Sequence, residues 1–315
     1  MTNLINIYIG AWDGRLFQFI LETLESKPRM IQMTPATGNA KTACLGVAIN
    51  ERYLAIGSAW GTLNLWEKKD NTWQPIEKIT LHGGEKDFSS EIKGVAMDDQ
   101  YLYAGSITGK IEIFDMNNKF KRVGEIKNLG KHILGLEVND KAIFAISKDG
   151  KFTALDKKTR KSIFERKFKS VGNFKTLQAL TISDKYVCFA SSGKVHGYIW
   201  DDDTMKLTEI GEFTNTHNTC MDLHLYKNMC YSGAWDGQLR SWDLESNDSE
   251  PKDLIEGYGS LESVCADDNF IYAGGHSGSV YVIDIKSLDL AFNIPINKIN
   301  PKPGAPNQIN VLFLG

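Results

Sequence analysis

Three tryptophans recur in nearly the same local setting: Ala11-Trp12-Asp13-Gly14, Ala59-Trp60-Gly61 and Ala234-Trp235-Asp236-Gly237. A rigid aromatic on a tight turn is suited to anchoring a peptide or a protein. Such a ring contributes about 2 kcal/mol or more once desolvated. The competing role is packing, with each indole lying flat on its neighbour. Phe174, Tyr258 and His276 fall in comparable loops and join the candidate contacts. A second set of residues is basic: Lys157, Lys158, Arg160, Lys161, Arg166, Lys167 and Lys169, interrupted by Glu165. It reads either as a docking patch for an acidic partner, phospholipid or RNA, or as a solvated edge strand that uses lysine against aggregation. The stretch from Glu245 to Glu256 is acidic and reads as a solvated outer loop.

Residues arranged for catalysis are scarce. The chain has no GxGxxG, no Walker loop, no HExxH and no GxSxG. Asp222 has Ser263 at the matching place of a repeated strand, with Lys93 and Glu262 close to that position. A lone carboxylate there reads as a hydrogen-bonded structural residue; an enzyme with a small-molecule or metal site at Asp222 is the alternative. His82, His132 and His217 stand on only partly neighbouring repeats, so a three-histidine metal site is not expected. No cofactor is expected.

The bulk numbers are those of a globular protein: 315 residues, 42% hydrophobic and 24% charged. A net charge of −3 gives no global electrostatic case for nucleic acid. The opening MTNLINIYIGAWDG reads as a strand, not a signal peptide, and no apolar run approaches the roughly 18 residues of a membrane span. Cys44, Cys188, Cys220, Cys230 and Cys265 contain no CxxC and fall in expected inner strands. They read as small buried thiols in a reducing compartment, hence a cytoplasmic or nuclear protein.

The elements that position these residues follow from a repeat. Gly14, Gly61, Gly109, Gly150, Gly193, Gly237 and Gly278 each close a hairpin turn, at spacings of 41 to 48 residues. A tight Asp-Gly turn between alternating runs needs positive φ, which glycine supplies. Each unit has an innermost strand patterned as in Cys220/Leu223/Leu225, a turn rich in Asp and Asn, and a second strand such as Phe270-Ile-Tyr-Ala-Gly274. A third strand follows, reaching an acidic residue six positions past the glycine (Glu67, Asp115, Asp156, Asp243, Asp284), then a weaker outer strand. Four short strands on this period form a propeller blade. Gly46, Gly94, Gly135, Ala179, Asp222, Ser263 and Val311 occupy the same innermost position, and five are Gly, Ala or Ser, as crowding around an axis requires.

The chain opens on a second-type strand and closes on Ile309/Leu312/Leu314, which carry the innermost pattern. The last strand is therefore expected to complete the first blade, built from residues 5–35 plus 308–315. The fold expected is all-β: one seven-bladed β-propeller over residues 1–315, with four antiparallel strands per blade. No room is then left for a second domain.

On these residues the chain resembles the WD40-repeat propellers along essentially its whole length. Gly233-Ala-Trp-Asp-Gly-Gln-Leu-Arg-Ser-Trp-Asp243 is close to that family's hairpin, and Gly57 to Glu67 nearly so. Thr216-His217 stands where the family usually has Gly-His. Phe114, Leu155 and Ile283 replace the Trp of the Trp-Asp ending, and Trp200-Asp201 lies two residues late. Ser147 to Phe168 resembles a quinoprotein-type repeat instead, although those propellers usually have eight blades. The resemblance implies one rim shared by the turns carrying Trp12, Trp60 and Trp235 and by the loops carrying Phe174 and Tyr258. It implies a non-catalytic adaptor binding proteins or peptides through that rim, within a larger complex and without membrane insertion.

Overall fold

The computed structural model describes residues 5–12, 14–21, 29–32, 43–81, 91–169, 177–191, 193–214, 219–246, 250–255, 259–295 and 308–314. They form seven four-stranded antiparallel sheets arranged as the blades of a ring. Within a blade the strands run from the axis outward in chain order, as in blade 6: Cys220–Tyr226, Met229–Ala234, Leu239–Asp243 and Lys252–Ile255. Among the described residues no helix is long and apolar enough to cross a membrane.

The apolar side chains form seven clusters, each wedged between two neighbouring blades. Ala154 of blade 4 meets Phe189 of blade 5 in one, and Tyr231 of blade 6 meets Ile271 of blade 7 in another. A blade is thus covered on both faces, and its second strand reads as an unbroken buried run, as in Ala142–Ser147 and Tyr186–Ser191. The outer strand Ser162–Lys167 is largely exposed, which accounts for its weak hydrophobic pattern. All five cysteines are buried and free. Three lie on innermost strands and two, Cys188 and Cys230, on second strands.

The polar residues of the repeat hold its turns. The Asx turn after the innermost strand recurs: Asp98 accepts from the Gln100 and Tyr101 amides, Asn139 from Lys141 and Ala142, and Asp267 from Asn269 and Phe270. The acidic residue ending the third strand does the same at the next turn, where Asp115, Asp243 and Asp284 accept from the amides of Asn117, Glu245 and Ser287. The seven hairpin glycines have φ between +69° and +90°. In six of these turns the glycine amide donates to the residue three before it, as in Gly237 to Ala234 O at 3.1 Å, which makes them longer than a two-residue hairpin; in blade 5 Ser191 pairs directly with Lys194.

Blade 5 keeps the architecture but lengthens its outer ribbon to Lys194–Asp201 and Lys206–Thr214. That extension carries the late Trp200, which is buried edge-on against Phe144 of blade 4.

The ring closes as expected. Ile309–Leu314 pairs antiparallel with Ile5–Ala11, with Ile9 opposite Leu312. Ile309 and Leu312 pack into the cluster with Cys265 of blade 7, while Val311 and Phe313 pack with Cys44 of blade 2. Phe313 also stacks on Tyr8, with ring centroids 4.9 Å apart. Removing residues 308–315 opens two apolar clusters and one sheet edge together. The truncated chain should show no cooperative thermal transition by circular dichroism. The milder Leu312→Ala change should cost about 2–5 kcal/mol in denaturant titration.

Candidate binding site at the axial mouth

An irregularity repeated in the innermost strands builds the axis. In five blades these strands carry a β-bulge against their partners, which leaves Leu45, Leu134, Met221, Glu262 and Asn310 unpaired. Lys93 and Gln178 occupy the same place in blades 3 and 5. All seven residues line a cavity of about 640 Å³ along the axis. Beyond the bulge the alternation of side chains brings Asp222 and then His224 to the channel in blade 6, and Glu137 in blade 4. The neighbouring blade's approach explains the glycines at the crowded position: a Cβ on Gly46 would lie 2.1 Å from the Lys93 carbonyl oxygen.

Asp222 is hydrogen-bonded within the fold. Its Oδ2 accepts from the Ser263 hydroxyl at 2.7 Å and from the Val264 amide at 3.0 Å. Ser263 Oγ in turn accepts from the Leu312 amide at 2.9 Å. This relay joins the innermost strands of blades 6, 7 and 1. Burial pushes the Asp222 carboxyl up to about 6, opposed by those donors and by the charge of Lys93. Glu137 is a second axial carboxylate that the reading of one position per strand missed. Two-residue alternation from Gly135 was the available signal. Burial, reinforced by the charge of Asp222, pushes Glu137 up to about 8. His224 is pushed down to about 4 by burial and stays neutral.

The mouth of the channel is formed by the hairpin turns of blades 6, 7 and 1. Trp235, His276 and Trp12 each stand two residues before the turn glycine, and all three line the cavity. Trp12 and Trp235 keep 44% and 47% of their surface exposed. Their backbones are pinned by Trp12 N to Gln308 O and Trp235 N to Thr219 O, and Arg240 ties Asp236 of the blade 6 turn at 2.6 Å. Glu262 Oε1 accepts from Ser260 Oγ at 3.0 Å and from the Trp235 indole N–H at 3.1 Å, with His276 Nε2 at 3.2 Å. Glu91 sits at the same end, 3.4 Å from His132 Nε2.

Trp60 is placed differently. It stands one residue before its glycine, where other turns carry Asp149 or Asp236. It is half-buried, its indole nitrogen is enclosed, and it does not line the cavity. Phe174, Tyr258, His82 and His217 lie outside the described residues.

Three of the seven basic residues of the run are paired with carboxylates of the described residues. Lys157 pairs with Asp98 of blade 3 at 2.9 Å, Arg166 with Glu209 of blade 5 at 2.8 Å, and Lys167 with Asp149 at 2.6 Å. Lys158, Arg160 and Lys161 remain exposed. His196, Glu209 and Glu212 on blade 5 form the one grouping of metal-ligand type among the described residues. Both carboxylates there are already engaged, by Arg166 and Lys194.

No protein-family model matches this chain, and no curated protein matches it by sequence. Among solved structures 1722 chains match. One is the crystal structure of the computationally designed Ika8 protein, at 16% identity and a TM-score of 0.64, over 99% of this chain and 90% of that one. At that identity the likeness is one of fold alone.

Glu137 gives the channel a measurable signature. A buried carboxyl with a raised pKa contributes its full stability below the unfolded value of about 4.3 and loses it as pH climbs toward the folded value. Glu137→Gln removes that loss. Its melting temperature should exceed that of wild type by several degrees at about pH 8.5, and the two should converge near pH 4.

Proposed function

We propose that this protein is a non-catalytic, WD40-like scaffold of the cytoplasm or nucleus that holds a protein or peptide partner at the axial mouth. The observation that carries this reading is the pair of exposed, backbone-pinned tryptophans, Trp12 and Trp235, flanking His276 and the hydrogen-bonded Glu262 carboxylate. Large rigid aromatics beside a desolvated polar group make a binding hot spot, because they bury apolar area with little loss of conformational freedom. Trp60 takes the packing role in this reading, and the exposed lysines of blade 4 serve as solvated edge. The Glu262 carboxylate holds the Trp235 ring in place, which supports reading the mouth as a preorganised surface for a partner.

The test compares native-lysate capture by wild type, a Trp12→Ala/Trp235→Ala double variant, Trp60→Ala and a Lys158→Glu/Lys161→Glu variant, with melting curves in parallel. The double variant should lose its specific partners at least tenfold at unchanged melting temperature. Trp60→Ala should lower the melting temperature and keep the partners in the folded fraction. Partners retained by the double variant and lost by the lysine variant would move the site to blade 4.

A further inference from the structure

We propose that the channel beneath the mouth receives one basic side chain, a lysine, inserted along the axis by the partner. The proposal rests on the mouth being the partner-binding face and names what enters it. Four carboxylates line the channel, Glu91, Glu137, Asp222 and Glu262, against a single lysine, Lys93, among the described residues. Low-dielectric walls focus such a field on the axis and favour a cation there.

The walls suit a lysine stem as well as its charge. Leu45, Val47, Val95, Leu136 and Leu180 stand among the polar groups of the lining. The aliphatic stem lies against such groups while its ammonium meets the carboxylates.

Two polar groups in the channel lack hydrogen-bond partners among the described residues. The Glu137 carboxyl takes no hydrogen bond from the described residues, although burial and Asp222 both act on it. Gln178, only 4% exposed and nearer the mouth, has an enclosed side-chain N–H group with no acceptor. A lysine entering from the mouth supplies both: its ammonium donates to Glu137, and its backbone carbonyl accepts from Gln178. A metal ion fits less well. Asp222 Oδ2 is held by two donors and Oδ1 by the Leu223 amide. His224 donates from one ring nitrogen to the Ala266 backbone. Among the described residues the channel brings no three ligand atoms within 4.8 Å of one another, so no coordination sphere is assembled there.

The site carries its own pH dependence. Glu137 must ionise to hold the ammonium, and in the empty channel it does so near pH 8. Facing it, Asp222 titrates near 6 and His224 near 4, and Lys93 adds a fixed positive charge. Binding therefore tightens on the order of twentyfold between about pH 6.5 and 8.5, as the carboxyl loses its proton.

The experiment titrates the full chain with the blocked pentapeptide acetyl-Gly-Ser-Lys-Ser-Gly-amide, read by tryptophan fluorescence and calorimetry. Saturable binding is expected, tightening with pH as above. Acetylation of the peptide lysine should abolish it. Glu137→Gln should weaken it at least tenfold and flatten the pH profile, while keeping the fold. Equal affinity for the acetylated peptide, no binding up to millimolar peptide, or indifference to Glu137→Gln would each overturn the proposal. An n-butylammonium ion binding as tightly as the peptide would overturn the assignment to a partner's side chain. If Trp12→Ala/Trp235→Ala loses the native partner while Glu137→Gln leaves the peptide unaffected, the mouth stands and the channel proposal falls.

Discussion

Every blade of this ring buries both of its faces against its neighbours, so no blade has a finished core until the ring is closed. The seven apolar clusters lie between blades, and none lies at the centre. Closure falls to one short strand, Ile309–Leu314, which completes the sheet of blade 1 and contributes to two clusters at once. The Asp222–Ser263–Leu312 relay ties that strand to blades 6 and 7 from the axial side. The first and last described strands are thus held by burial, by backbone pairing and by a buried polar chain together.

Packing between blades also leaves the axis open. Innermost strands cannot converge to a point, because backbones crowd there first, as the Gly46 contact with Lys93 shows. The remaining space takes its chemistry from the residues that the bulges and the strand alternation turn inward. In this chain blades 4 to 6 supply Glu137, Gln178, Asp222 and His224, blade 3 supplies Glu91 and Lys93, and aliphatic groups from blades 2 to 6 stand between them. The channel is therefore of mixed polarity, with carboxylates outnumbering its lysine among the described residues.

The aromatic mouth shares only blade 6 with those polar groups. Trp235, His276 and Trp12 lie on three consecutive blades, and Glu262 of the middle one accepts from the Trp235 indole. Recognition at the mouth and charge in the channel meet at Asp222 of blade 6, whose relay locks together the innermost strands of blades 6, 7 and 1 beneath the aromatic turns.

The period of the hairpin glycines, the innermost-strand pattern and the closing role of Ile309, Leu312 and Leu314 were all legible along the chain, because each is a local pattern repeated seven times. The burial of the cysteines was legible for the same reason. The different fate of Trp60 was also present in the spacing, one residue from its glycine instead of two, but its consequence needs the turn geometry. Tertiary structure alone decided the rest. Lys93 and Glu262 could be placed near the axis from their position beside the crowded residue, but the axial placing of Gln178 and Glu137 came from the fold. The charges of Glu137 and Asp222 meet only because blades far apart in sequence face one another across the channel. The pairing of Lys157 with Asp98 and of Arg166 with Glu209 likewise joins different blades, and it engages part of the basic run. Repetition along the chain determined the ring; contacts between blades, which no single repeat encodes, determined its chemistry.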